Sequence, residues 1–229
     1  MMHNVSVIIA AAGNSSRMDG VNKQFAEICG IPVLIRSALA FEETEEVSEI
    51  VISAKEEDHQ RISALCTKYD IKKFKGCAKG GDTRQQSVIN ALKMLSRETD
   101  LVAVHDGARP LVSPRRIKRC IYDAGVFGGA VLGVPVKDTI KEVSDGLVTD
   151  TPDRRKLYIT QTPQIFKKDK YYEGVNFAVA HELDFTDDCQ LAEAVGVKVC
   201  MTPSDYTNIK ITTPDDLVIA EALVKMIES

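Results

Sequence analysis

The chain has 229 residues, with 29 Lys and Arg against 33 Asp and Glu, a formal charge of −4. That balance argues against nucleic acid as the main partner, because domains that bind it carry a basic excess; a local basic pocket for a small anion stays open. Apolar residues at 44% and charged residues at 27% are ordinary for a globular chain, and the length suits one α/β domain spanning 1–229.

The first apolar run is "VSVIIA" at 5–10. "MMHN" brings no positive charge before it, and Arg17, Asp19 and Lys23 follow closely, so it does not read as the core of a secretory signal. No run approaches the ~20 apolar residues of a membrane span, and a cytoplasmic setting is expected, with no membrane partner. The 6 cysteines form no CxxC pair and no zinc spacing, which reads as reduced thiols. Further runs follow at 49–54, 101–106, 129–136 and 197–201. Their β-branched content predicts strands, and their continuity predicts burial on both faces.

Helical patterns lie between. "VLIRSALAFEE" at 33–43 puts Leu34, Ser37, Ala38 and Phe41 on one side, and "TRQQSVINALKML" at 83–95 groups Val88, Ala91, Leu92 and Leu95. "PDDLVIAEALVKMI" at 214–227 opens with proline and two acids, a good helix start. Strands alternating with helices predict a mostly parallel sheet flanked by helices. The stretch 136–154 instead alternates like a β-hairpin, with an Asp-Gly turn at 145–146. A lone hairpin is marginal in water, so this arm is expected to pack on another surface, such as a second subunit.

Parallel sheets bind ligands beyond the C-terminal ends of their strands, which directs attention to 11–23, 80–84, 105–110 and 135–139. In "AAAGNSSRMDGVNKQF" at 10–25, small Ala11, Ala12 and Gly13 admit close approach to the backbone, and Arg17 and Lys23 supply charge. Neither a P-loop nor a dinucleotide fingerprint is present, and a plain strand-to-helix turn with solvated charges is the alternative. "GGDTRQQSV" at 80–88 reads as a glycine turn before a helix, with Asp82, Arg84 and Ser87 near its start. In "VHDGARP" at 104–110, Asp106 suits a hydroxyl or metal and Arg109 a phosphate, or the two form a structural pair; His105 reads as a packed strand-end residue. Arg154 and Arg155 stand beside the arm. "FTDDCQ" reads as Thr186 capping a helix whose first turn holds Asp187 and Asp188. Lys210, in "NIKITTPDDL", stands near a strand end.

Taken in order, "AAAGxxxRM…NKQF", "GGDTRQQSV", "VHDGARP", "PVKDTIK", "DRRKLYITQTPQIF", "TDD" and "NIKITTPDDL" resemble the 2-C-methyl-D-erythritol 4-phosphate cytidylyltransferase family over nearly the whole chain. The resemblance implies a Rossmann-like nucleotidyltransferase fold, Mg²⁺ bound mainly through CTP phosphates, and a homodimer clasped through the arm. It places Ala11, Ala12, Gly81, Asp82 and Ser87 around the cytosine, with Ala10, Gly13 and Gly107 near the ribose. Arg17, Lys23 and Lys210 would face the triphosphate. Asp106, Arg109, Thr139, Arg154 and Thr186 would hold the methylerythritol phosphate, with Arg154 given across the dimer. The catalytic set implied is Arg17, Lys23, Arg154 and Lys210, and no protein ligand to the metal is assigned. The chain departs from the family pattern at Ala10 (usually proline), Ser15 (usually glycine), Gly107 (usually alanine) and Cys189 (commonly alanine).

The implied reaction joins CTP and the sugar phosphate and releases pyrophosphate. A ribitol-5-phosphate cytidylyltransferase is the nearest alternative, since it shares "QTPQ" and "NIKITTP"; "AAAG", "PVKDTIK" and "DRRKLY" favour methylerythritol. A non-catalytic CTP-sensing module is the alternative of another class, and it would have no need of Arg17, Lys23, Arg154 and Lys210.

Overall fold

In the computed structural model, which describes residues 3–13 and 22–228, the first apolar run forms β1 (Val5–Ala10). Two short strands, β2 (Glu27–Ile28) and β3 (Ile31–Pro32), make a small hairpin that leads into α1 (Val33–Glu42). The chain continues through β4 (Val47–Ala54), α2 (His59–Lys68), β5 (Phe74–Lys79), α3 (Arg84–Leu92) and β6 (Leu101–Asp106). Then come α4 (Pro114–Phe127), β7 (Gly129–Pro135), the hairpin strands β8 (Glu142–Ser144) and β9 (Leu147–Asp150), and β10 (Tyr158–Lys167). Helices α5 (Lys168–Ala180) and α6 (Asp188–Ala194), strand β11 (Val199–Pro203) and helix α7 (Pro214–Glu228) complete the order.

Seven strands form one sheet in the order β11-β7-β10-β6-β1-β4-β5. Every pairing is parallel except those of β10, which runs antiparallel to both β6 and β7. Successive side chains of a strand point to opposite faces, and both faces are covered. Val5, Val7 and Ile9 pack with Leu34 and Phe41 of α1, Ile62 of α2 and Ile117 of α4. Ile8, Val102 and Val104 pack on the other side with Val88 of α3, Tyr171 of α5 and Leu191 of α6. That two-sided burial is why the central strands read as continuous apolar runs. Phe41 is fully buried, and its truncation to alanine would cost about 3–5 kcal/mol.

The expected elements differ from the structure in instructive places. The helix starting at Arg84 ends at Leu92, with Thr83 as its N-cap, so Leu95 packs from outside the helix. The last expected strand begins at Val199 rather than 197, because the Val197 N–H is taken by the carbonyl of Ala192 at the end of α6. The cap of α6 is Asp187, which accepts from the Gln190 N–H, and not Thr186. Strands β5 and β10 escape the apolar pattern. β5 lies at the sheet edge and is only partly buried. β10 buries the polar side chains Gln161, Thr162 and Gln164, and its ladder with β7 skips between Thr160 and Gln164, around Pro163. Proline cannot donate to a ladder, so its place in a central strand is a register break.

The arm turns at Asp145 and Gly146, both with left-handed backbone (φ 52° and 79°), as a tight hairpin turn requires. Val143, Leu147 and Val148 all face solvent in the single chain.

Candidate active site

The C-terminal ends of β1, β4, β5 and β6 open on one cleft of about 370 Å³. Its floor is made by close backbone approach. The Ala11 N–H donates to Ser53 O at 2.7 Å, and the Gly80 N–H donates to Ala54 O at 2.8 Å. A Cβ on Gly80 would lie 2.4 Å from the Ala12 Cβ, so only glycine lets the two loops meet. The turn after Gly80 is tied to α3: the Gly81 N–H donates to Ser87 Oγ at 2.9 Å, and Ser87 Oγ donates to Thr83 O at 2.9 Å.

Of the residues expected at the site, Ala10, Ala12, Gly13, Lys23, Gly81, Asp82, Ser87, Asp106 and Lys210 line this cleft together. Ala11 does not: its side chain is buried in the core beside Val7 and Ile9. Gly107 is buried beneath, where an added Cβ would meet Gln24 Oε1 and Leu34 Cδ1 at 3.0 Å. Thr139 and Arg154 are exposed along the arm, and Arg154 Nη1 donates to the Lys137 carbonyl at 2.8 Å. Thr186 lines a separate pocket of about 220 Å³ with Thr160 and Cys189, and its hydroxyl donates to Gln190 Oε1 at 3.0 Å. Arg17 and Ser15 lie outside the described residues.

The electrostatic centre is Asp106, at the end of β6. Its Oδ2 lies 2.9 Å from Lys210 Nζ and 3.6 Å from Arg109 Nε, and its Oδ1 lies 3.5 Å from Arg84 Nε. Burial works to raise its pKa, but Lys210, Arg84 and Arg109 outweigh burial and hold the carboxyl well below the usual carboxylate range. Neighbouring His105 is fully buried, edge-on to Phe41 with ring centroids 4.9 Å apart. Burial pulls its pKa down to about 4, so the ring is neutral at pH 7. Its Nε2 faces the Arg109 carbonyl at 3.1 Å, and its Nδ1 faces Thr162 Oγ1 at 3.0 Å. A carbonyl only accepts, so these partners assign the proton to Nε2. His105 is therefore a packing residue, as its sequence position suggests.

Lys210 is aimed by its flanks. Asn208 Nδ2 donates to Gln161 Oε1 and to the Thr162 carbonyl at 3.0 and 3.1 Å, and the Ile211 N–H donates to Ala108 O at 2.8 Å. Arg109 Nη1 donates to Asn208 O at 2.8 Å, pinning the same segment. Asp216 then collects the N–H and hydroxyl of both Thr212 and Thr213, which starts α7. The motif "QTPQ" thus works as scaffold: Gln161 holds the Lys210 segment, while Gln164 Oε1 accepts from the N–H groups of Asp188 and Cys189 at 2.9 and 3.0 Å.

Sequence reasoning left several cleft-lining side chains without a role, among them Gln24, Lys55, Thr83 and Arg84. Arg84 carries the clearest signal, a cation following a glycine pair. Its partner Asp188 reads in the sequence as a first-turn helix acid, whereas the structure buries it against Arg84 at 2.7 Å.

The profile of the IspD family, 2-C-methyl-D-erythritol 4-phosphate cytidylyltransferase, matches residues 5–226. The chain is 44% identical over 226 residues to the protein of that name from Caldanaerobacter subterraneus subsp. tengcongensis, covering 97% of this chain and 99% of the relative. It is 41% identical over 223 residues to that from Clostridioides difficile, covering 96% and 94%. Among solved structures, the 4-diphosphocytidyl-2C-methyl-D-erythritol synthase of Anaerococcus prevotii superposes with a TM-score of 0.87 at 32% identity, covering 97% of this chain and 96% of that one. The Thermus thermophilus 2-C-methyl-D-erythritol 4-phosphate cytidylyltransferase gives 0.79 at 31% identity, covering 98% and 100%. With the cleft's geometry, these matches make the chain a member of the 2-C-methyl-D-erythritol 4-phosphate cytidylyltransferase family.

Proposed function

We propose that the protein transfers the cytidylyl group of CTP to 2-C-methyl-D-erythritol 4-phosphate, giving 4-diphosphocytidyl-2-C-methyl-D-erythritol and pyrophosphate. The observation that carries this reading is one cleft that joins a small-residue floor, Ala12, Gly13, Gly80 and Gly81, to the cations Lys23 and Lys210. A flat base and its ribose need the first, and a polyphosphate needs the second. Neither the ribitol phosphate reading nor the CTP-sensing one is favoured by the family match.

In the reaction an oxygen of the sugar phosphate attacks the α-phosphorus of CTP in line, and pyrophosphate departs. A phosphate monoester is already ionised at neutral pH, so no strong general base is needed, and the neutral, buried His105 is not asked to serve as one. The barrier is the meeting of two anions. Lys23, Lys210 and, by family resemblance, Arg17 offset that repulsion and stabilise charge on the five-coordinate α-phosphate. Asp82, Ser87 and Asp106 line the same cleft, and by family resemblance the first two would read the base and Asp106 would hold the acceptor.

The cleft fits Mg²⁺ as a passenger on the nucleotide. Among the described residues, no three His, Cys, Asp or Glu side chains gather as a metal site, and Asp106 is already faced by three cations. Mg²⁺ commonly keeps its waters and binds through substrate phosphates. When bound, it would neutralise phosphate charge and polarise the α-phosphate.

We read the arm as a homodimer contact. Leu147 is 73% and Val148 61% exposed, which is costly for a hairpin with nothing packed on it. Thr139 and Arg154 sit along that same arm, and the family resemblance implies that Arg154 serves a partner's cleft. A cytoplasmic setting belongs to the same reading; the six cysteines are all unbridged, and among the described residues no helix is long and apolar enough to cross a membrane. The reading is tested by Lys23→Ala, expected to lower turnover on the order of 10²-fold in a pyrophosphate-release assay; near-full turnover would remove Lys23 from the mechanism.

A further inference from the structure

Arg84, the first residue of α3, lines the cleft but has no part in the reaction just described. Its guanidinium reaches in two directions. Nη2 lies 2.7 Å from Asp188 Oδ2, and Nε lies 3.5 Å from Asp106 Oδ1. Asp188 is held from several sides. Its side chain is 1% exposed, its Oδ1 accepts from the Tyr171 hydroxyl at 2.5 Å, and its N–H donates to Gln164 Oε1. An isolated carboxylate that deep would cost several kcal/mol, so Asp188 and Arg84 require each other. The Arg84 guanidinium is thereby fixed from behind, by residues that do not line the cleft.

What Arg84 does at the front follows from its geometry. Lys210 and Arg109 both face Oδ2 of Asp106, while Arg84 faces Oδ1. The χ2 torsion of aspartate is soft and broad, so contacts to one oxygen leave the carboxylate plane loosely set. A cation on each oxygen fixes it. Arginine can span two carboxylates with its planar fork; lysine, a point charge, cannot.

We propose that Arg84 is a positioning residue which, anchored by Asp188, fixes the plane of the Asp106 carboxylate that meets the acceptor. The role rests on the reading of Asp106 as an acceptor contact. It ties the buried start of α6 to the cleft through one guanidinium, and it gives Asp188, the second aspartate of "TDD", the aiming of the site in addition to its place in the first turn of α6.

The test combines Asp188→Asn, Arg84→Lys and Arg84→Gln, each checked for folding by circular dichroism and assayed for pyrophosphate release with methylerythritol phosphate and CTP. Misplacement of an acceptor contact is expected to lower kcat/KM for the sugar phosphate roughly 10- to 100-fold in all three, with KM for CTP changed far less. Arg84→Lys keeps the charge, so rescue by lysine would show that only charge matters and would overturn the proposal. The Asp188→Asn, Arg84→Lys pair should lose no more than the worse single variant, since both changes break one clamp; additive losses, or a folded Asp188→Asn enzyme with full kcat/KM, would overturn it. A crystal structure of Arg84→Gln supplies a readout independent of turnover: the Asp106 carboxylate is expected rotated or split over two conformers, and an unmoved carboxylate would overturn the proposal. If the wild-type enzyme turned over no sugar phosphate, the assigned reaction would fall, and the position of that carboxylate would decide the clamp by itself.

Discussion

Lys210 Nζ lies 2.9 Å from Asp106 Oδ2, across two segments far apart in sequence, and this pair is where the cleft's positive charge meets its buried carboxylate. Lys210→Ala should lower turnover on the order of 10²-fold, as other losses of transition-state charge contacts do. Steady-state pyrophosphate release checks it, and a variant within twofold of wild type would separate Lys210 from the chemistry.

The floor of the cleft is equally specific. Gly80→Ala would press a methyl group against the Ala12 Cβ, 2.4 Å away, and push the nucleotide loop outward. Such overpacking costs typically 1–3 kcal/mol. If the CTP-bound loop carries that cost, calorimetric titration should show affinity lost by about 5- to 140-fold, since each 1.4 kcal/mol is a factor of ten; unaltered CTP binding would mean the floor does not meet the nucleotide.

At the opposite end of the sheet, Glu49 is a purely structural acid. Its Oε1 accepts from Ser6 Oγ and the Ser96 N–H, both at 2.6 Å, and its Oε2 from Lys75 Nζ at 2.6 Å. Burial acts to raise its pKa, but Lys75, Ser6 and Ser96 outweigh burial, so the pKa is lowered. A carboxylate with a depressed folded pKa stabilises the fold above its unfolded pKa of about 4.3 and loses that contribution as pH falls through the folded value. Glu49→Gln should therefore cost on the order of 1–3 kcal/mol at pH 7 and make the acid loss of stability shallower, with turnover at pH 7 intact. Urea denaturation at pH 7 and pH 4 measures both, and equal destabilisation at the two pH values would contradict the ionic account.

The arm gives a prediction about assembly. Leu147 and Val148 are exposed in the single chain, so Leu147→Asp should leave the protomer's thermal midpoint nearly unchanged. Burying a leucine contributes about 1.5–3 kcal/mol, so the same change should weaken a dimer at least tenfold and lower turnover with it. Analytical ultracentrifugation checks the first part; an unaltered sedimentation profile would place the dimer contact elsewhere.

How much of this was legible in the sequence depends on what each segment is asked to do. Strands β1, β4, β6 and β7 are buried on both faces, so their apolar runs announce them. Strand β10 is not announced, because Gln161 and Gln164 spend their polar groups holding the Lys210 segment and α6, and the Thr162 hydroxyl bonds His105 and the Asp106 N–H at the end of β6. Helix α4 carried its own signals, Ser113 and Pro114 at the start and left-handed Gly128 at the end, which the apolar periodicity alone does not reveal. Lys23, Lys210 and Asp106 could be singled out because charge at a strand end is conspicuous. Asp188 could not: one carboxylate in a helix's first turn looks like another until the fold shows which is buried. The family resemblance implies Ala11 and Gly107 beside the nucleotide, where only their backbone could meet it, since the Ala11 side chain and a Cβ on Gly107 face the core.

The choice of acceptor decides what the enzyme makes. The most direct measurement is pyrophosphate release by the purified protein with CTP and Mg²⁺, comparing 2-C-methyl-D-erythritol 4-phosphate with ribitol 5-phosphate at equal concentrations. Rapid release with the methylerythritol phosphate and little with ribitol phosphate is the predicted result. Equal or faster release with ribitol phosphate, or tight CTP binding with no pyrophosphate from either, would contradict it.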